Sequence, residues 1–263
     1  MKNIFRIVAS FDLHQALIIG SVSRGDTVAL LSENRPEWAI ADLATLCAGA
    51  ADATIYATLT APQVQYILAD SESKVVFVSN AAQAAKVAEV RRHLPLLQHV
   101  VRFDPAPVPG TMSLDELRAQ GKEALAADRE AVRRRAAEVA GGDLATLIYT
   151  SGTTGDPKGV MLTHANRLHN VLAAEKLFPM VNEEWTALSF LPLCHSFERT
   201  AGHNFMLHRG VTIAYAESVE KVPENMGEVR PHIMCSVPRL YEKMYARVNE
   251  KVAADPPLRQ KIF

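Results

Sequence analysis

The sequence predicts an α/β protein of mainly parallel sheets covered by helices, and two observations carry that reading. Short β-branched runs alternate with Ala- and Leu-rich stretches almost to the end of the 263 residues. The intervening stretches are helix-length, as crossover connections between parallel strands must be.

The elements follow in order. Thr27–Leu31 reads as a strand and Ser32-Glu-Asn-Arg35 as a turn. Pro36 then opens a helix through Cys47, because a first helical turn tolerates the missing N–H. Ala53–Tyr56 is a second strand, followed by a helix over Pro62–Ala69; Lys74–Val78 is a third, followed by Ala81–His93 and the strand His99–Phe103. Residues 104–111, with three Pro and a Gly, are the most loop-like segment. Charged helical sequence then runs to Ala140, is closed by Gly141-Gly142, and leads into the apolar strand Leu144–Tyr149. Its basic triplet Arg133–Arg135 is surrounded by Asp128, Glu130 and Glu138 and reads as a solvated helix face. Further helices are expected over Thr163–Leu177, Phe197–Leu207, Val219–Val229 and Pro238–Ala253, and strands over Thr186–Leu191, Val211–Tyr215 and His232–Cys235. There is no internal repeat and no linker-like segment, so one continuous body is expected.

Composition excludes several classes. With 28 Lys+Arg against 29 Asp+Glu there is no electrostatic case for nucleic acid. Thirteen Gly and 14 Pro are ordinary for this length. Three scattered cysteines (Cys47, Cys194, Cys235) make no disulfide framework and fit a reduced, cytoplasmic setting. The weakly polar stretch 39–61 carries Asp42 and Asp52, each costly at a bilayer centre, so it is no membrane span. Residues 1–23 place Asp12 and His14 where a secretory signal needs an unbroken apolar core; an ordinary terminal helix or a misplaced start is the better reading.

The chemistry concentrates in Tyr149-Thr-Ser-Gly-Thr-Thr-Gly-Asp-Pro-Lys-Gly159. A core strand runs into a loop whose glycines expose backbone N–H groups and allow close approach. Hydroxyls at Thr150, Ser151, Thr153 and Thr154 add donors, and Lys158 adds a mobile charge. Thr163 can cap a following helix whose N-terminus also favours an anion. The pattern points to a polyphosphate, although it is not a Walker A loop: Pro157 precedes Lys158 and Gly159 follows it.

Residues 149–164, continuing Val-Met-Leu-Thr-His, resemble the AMP-binding signature of adenylate-forming enzymes, which include acyl-CoA synthetases, luciferases and peptide-synthetase adenylation domains. Leu31-Ser-Glu-Asn-Arg-Pro-Glu-Trp38, Ile55-Tyr-Ala-Thr-Leu-Thr60, Phe190-Leu-Pro-Leu-Cys-His-Ser-Phe-Glu-Arg199 and Arg230–Tyr245 are similar to the long-chain fatty acyl-CoA synthetase group. The resemblance covers 24–263, read as a partial AMP-binding domain behind an atypical segment 1–23. Thr54 departs from it, standing where the family usually has Pro. Its later motifs do not occur in the sequence: Tyr-Gly-x-Thr-Glu with the magnesium-binding Glu, the ribose-binding Asp, the hinge, and the small domain with its catalytic Lys. The resemblance therefore implies an incomplete amino-terminal domain that is poorly active or inactive alone.

It also implies a reaction. A long-chain fatty carboxylate attacks the α-phosphorus of ATP, with Mg2+ on the phosphates, and coenzyme A then displaces AMP. Thr150, Ser151, Gly152, Thr153, Thr154 and Gly155 would wrap the β,γ-phosphates, and Lys158 would hold the departing pyrophosphate. His195 would position the carboxylate and α-phosphate rather than act as a base, since the carboxylate is already ionised at neutral pH. The acyl substrate would add peripheral contact with the inner face of a membrane. A non-catalytic nucleotide- or acyl-binding fragment and an adenylation domain serving a carrier protein are the competing readings. Cys194, His195, His203 and His208 lack metal-ligand spacing. Phe205, Met206, Leu207, Met234, Tyr241 and Met244 are candidates for an acyl tunnel, with plain core as the alternative. Glu198 and Arg199 fit a local ion pair on a helix surface equally well and stand outside the catalytic set.

Overall fold

The computed structural model describes residues 4–5, 22–150 and 156–253. The larger sheet has seven strands: β2 (Thr27–Leu31), β3 (Ala51–Ile55), β4 (Val75–Val78), β5 (His99–Arg102), β6 (Met112–Ser113), β7 (Leu144–Thr150) and β8 (Lys158–Thr163). Their order is β6-β5-β4-β2-β3-β7-β8, parallel throughout except for the last pair. A smaller sheet joins β9 (Thr186–Ser189) in parallel to β10 (Thr212–Tyr215), with β1 (Ile4–Phe5) antiparallel beyond it.

The buried strands explain their own sequences. β2, β3 and β4 are buried at every position, which requires both faces to be covered. Val28, Leu30, Val75 and Phe77 face one core with Trp38, Ala41 and Ala44 of the helix Pro36–Cys47. Ile213, Tyr215, Phe205 and Met206 join that same core, so the two sheets share one interior. The intervening residues Ala29, Leu31, Val76 and Val78 face the opposite core with the helices Ala61–Asp70 and Ala81–Val90. This is the period of two of a strand, read on both faces.

Four expectations are corrected. Thr163 does cap the helix His164–Leu177, its hydroxyl accepting from the Asn166 amide, but that helix does not follow the Gly/Thr loop directly. Residues 158–163 are a strand, antiparallel to β7, with Thr150 opposite Lys158 and Leu144 opposite Thr163. At about 3.3 Å per residue, the helix N-terminus lies roughly 17 Å from Lys158, too far to help hold an anion there. Second, residues 232–235 are not a strand; Ile233 makes an isolated bridge to Ala187. Third, the charged segment is two helices, Leu114–Ala127 and Ala131–Ala137, broken where Asp128 accepts from the Glu130 amide. Its arginines are solvated as expected, Arg133 pairing with Glu130 at 3.3 Å. Fourth, the helix beginning near Phe197 is wound as a π-helix over Glu198–Asn204 before the α-turn Phe205–His208. Such widened turns arise where a side chain must be accommodated, often at functional sites. Among the described residues, no helix is long and apolar enough to cross a membrane.

Candidate functional site

β7 carries the chain from a buried middle, with Ala145 and Thr146 inaccessible, to an exposed end at Thr150. Across the ladder stands Lys158, also exposed, so the two described members of the phosphate set share one strand end. Ser151, Gly152, Thr153, Thr154 and Gly155 lie outside the described residues. The hairpin is held from below by Tyr149, whose hydroxyl donates to Asp70 Oδ2 at 2.7 Å and whose ring meets Tyr66 edge-on. A Cβ on Gly159 would stand 3.1 Å from that ring. The absence of a side chain at Gly159 therefore leaves room for the tyrosine ring.

A cavity of about 420 Å³ opens at the carboxyl ends of β3 and β7, where open parallel sheets place their ligands. Thr54, Tyr56, Ile67, Ile148, Thr150 and His195 are among its lining residues, so the structure brings His195 and the hairpin to one cavity. The Nδ1 of His195 accepts from the Phe197 amide at 3.2 Å. A neutral imidazole then carries its proton on Nε2, which is left as a donor suited to a carboxylate or phosphate oxygen. Tyr56, given no role by the sequence, lines the cavity and contacts Cys194, whose thiol burial pushes up to about 12, far from a reactive thiolate.

Beneath the cavity lies a buried charge cluster. Arg199 is 2% exposed and its guanidinium donates to Asp42, to Asp52 and, at 2.7 Å, to Thr146 Oγ1. Arg167 adds a second cation, 3.6 Å from Asp42 and 3.9 Å from Asp52. Burial alone would raise Asp42, but Arg199 and Arg167 outweigh it and hold that carboxyl well below the usual range. Burial pushes Asp52 up to about 6, with Arg199 pulling against it and the Asp42 charge adding to it. Glu198 is buried too and does not pair with Arg199: its Oε1 accepts from Ser189 Oγ at 2.7 Å, and its other oxygen has no partner. The expected surface ion pair is thus two buried residues with separate partners. The signal available in the sequence was the two acids themselves, Asp42 and Asp52, standing in an otherwise apolar stretch, since buried charges require partners.

Burial pushes Glu198 up to about 7. A carboxyl raised on folding contributes its full stability below its ordinary range of 4.5 and loses it as pH rises through about 7. Glu198→Gln keeps an acceptor for Ser189 and cannot ionise. It should match the wild type near pH 4.5 and exceed it above pH 7 by up to about 3 kcal/mol, read as denaturation midpoints across that range.

The acyl-tunnel candidates do not converge. Phe205 and Met206 are buried in the shared core, Met234 packs beside Leu188 and Phe190, and Tyr241 and Met244 are exposed. Among the described residues no group of three or more His, Cys, Asp or Glu could hold a metal ion, so Cys194, His195, His203 and His208 form no such site. The described side chains likewise offer no cage for Mg2+.

The cavity thus sits at the carboxyl ends of an open, mainly parallel α/β sheet, and sequence comparison gives the family. The model of the AMP-binding enzyme family matches residues 13–261, and this chain belongs to that family. The long-chain-fatty-acid–CoA ligase FadD15 of Mycobacterium bovis is 36% identical over 238 residues, covering 90% of this chain and 38% of that protein. Fatty acyl-CoA synthetase A of Dictyostelium discoideum is 31% identical over 261 residues, again with 38% of that protein covered. The inhibitor-bound N-terminal domain of FACL13 from Mycobacterium tuberculosis superposes with a TM-score of 0.70 at 30% identity, over 90% of this chain and 56% of that one. The anthranilate CoA ligase AuaEII in complex with anthranoyl-AMP shares the fold, with a TM-score of 0.75 at 23% identity over 89% of this chain and 44% of that one. The chain spans about 38% of the length of the two ligase and synthetase relatives.

Proposed function

We propose that this segment is the phosphate-holding part of a long-chain fatty acid–CoA ligase, which joins a fatty carboxylate to AMP and then to coenzyme A. The observation that carries the reading is the shared cavity of Thr150 and His195, with Lys158 opposite Thr150 on the hairpin. Thr150 and Lys158, with the intervening Ser151, Gly152, Thr153, Thr154 and Gly155, hold the β,γ-phosphates and place the pyrophosphate as leaving group. Catalysis of adenylyl transfer is mostly positioning and charge stabilisation. The Nε2–H of His195 orients the carboxylate toward the α-phosphorus without taking a proton. Mg2+ would accompany ATP as a counter-ion to its phosphates, not as an ion held by the described side chains. Coenzyme A and the fatty acid are substrates of the complete enzyme, and the acyl chain would bring it to the inner face of a membrane from the cytoplasm. The relatives named as a CoA ligase and an acyl-CoA synthetase support coenzyme A as acceptor over a carrier protein.

Calorimetric titration of the 263-residue chain with ATP and with AMP, in magnesium buffer, tests this. A site built for β,γ-phosphates is expected to prefer ATP by roughly tenfold or more, the worth of one charge-assisted hydrogen bond. Equal affinity, or no binding of either, contradicts it.

A further inference from the structure

The turn Ser32–Arg35, singled out in the sequence but given no task above, contacts the His195 segment directly. Asn34 Nδ2 donates to the Leu191 carbonyl at 2.7 Å, and Asn34 Oδ1 accepts from the Leu193 amide at 2.9 Å. One side-chain amide therefore brackets the backbone that leads into His195, 157 to 159 residues away in sequence. The same Nδ2 reaches Ser189 Oγ at 3.3 Å, which donates to Glu198 on the far side of the histidine. The turn itself closes by His195 N–H to the Pro192 carbonyl at 2.9 Å and Arg199 N–H to the His195 carbonyl at 3.1 Å. Thr54, the departure from the family pattern, adds a contact from β3, its hydroxyl 3.4 Å from the Cys194 carbonyl.

We propose that Asn34 is a positioning residue that clamps the Leu191–Phe197 segment and so fixes His195 in the cavity it shares with Thr150. Asn34 follows β2 and Thr54 lies within β3, the strand that pairs with β7. The clamp thus references His195 to the same sheet that carries Thr150. Asparagine suits the task because it offers a donor and an acceptor on one planar group, which Asp, Ser or Ala cannot. The role assigned to His195 rests on the reading under Proposed function; the clamp itself rests on the hydrogen bonds alone.

Native-state hydrogen exchange on the 263-residue chain tests the clamp without any ligand. In Asn34→Ala, the amides of Leu193, His195 and Arg199 should exchange roughly tenfold faster or more, as local opening loses about one net hydrogen bond or two. Amides of 28–31 and 145–149 should stay within about twofold, since local opening does not require the sheet to open. Should the alanine variant not fold, Asn34→Asp keeps the shape but sets a carboxylate against the Leu191 carbonyl, and the same local acceleration at His195 and Arg199 is expected. Unchanged exchange at 193–199, or equal acceleration everywhere, overturns the proposal. A second arm adds magnesium ATP and follows the His195 ring resonances. Wild type should respond, and Asn34→Ala should respond less while binding ATP with affinity within about threefold, since it leaves the phosphate hairpin intact. An equal ring response in both proteins also overturns the positioning role. If the wild type binds no ATP, the nucleotide reading fails, while the exchange data still decide the clamp.

Discussion

Replacing Arg199 by Met should destabilise the fold by about 3–5 kcal/mol, the cost of leaving buried carboxylates without their cation. Arg199 is 2% exposed and is shared by Asp42 and Asp52, both wholly inaccessible. Arg167 stands farther from both and cannot replace its direct hydrogen bonds. Against a typical total of about 5–15 kcal/mol, such a loss brings the chain close to unfolding. The triple variant Arg199→Met with Asp42→Asn and Asp52→Asn should recover most of it, because removing a whole ionic group is far less harmful than removing one member. Denaturant midpoints of the wild type, single and triple variants measure both effects. A single variant within about 1 kcal/mol of the wild type would contradict the charge cluster as described.

The second large effect is on ligand binding. Lys158→Ala should weaken ATP binding about ten- to a hundredfold, the loss of one charge-assisted phosphate contact. Lys158 is exposed and faces Thr150 across the hairpin, so its removal should leave the fold in place. Lys158→Arg keeps the charge but not the compact ammonium, and should retain part of the affinity. Titration of the three proteins with ATP, together with their denaturation midpoints, separates lost binding from lost folding. Unchanged affinity in Lys158→Ala would remove the residue from the site.

Most of the α/β architecture was legible because fully buried parallel strands are written as uninterrupted apolar runs. Val75–Val78 and Thr27–Leu31 are examples. The hairpin was not, because Lys158-Gly-Val-Met-Leu-Thr163 lies at a sheet edge with no buried position, and its consecutive apolar residues Val160 and Met161 are both exposed. The signature's residues gave the place of the site, yet its supports are long-range. Asn34 reads locally as a turn residue, and only the fold brings it to Leu191 and Leu193. Likewise Asp42 and Asp52 suggested merely that the stretch could not cross a membrane; their partner lies roughly 150 residues on and is found only once the sheets have packed.

In the proposed site, ATP phosphates sit at the end of the β7–β8 hairpin, in the cavity that His195 lines. The direct measurement is backbone and histidine-ring NMR of the 263-residue chain during a titration with magnesium ATP. A second groove lies between the helices Leu114–Ala127 and Ala131–Ala137, lined by Lys122, Arg129 and Arg133 together with Glu130. If the account is right, the resonances of Thr150, Lys158, Gly159 and His195 move together and saturate with one affinity, while those of Lys122 and Arg133 stay in place. Shifts confined to the Lys122–Arg133 groove, or none at the hairpin end when ATP is in excess, would contradict it.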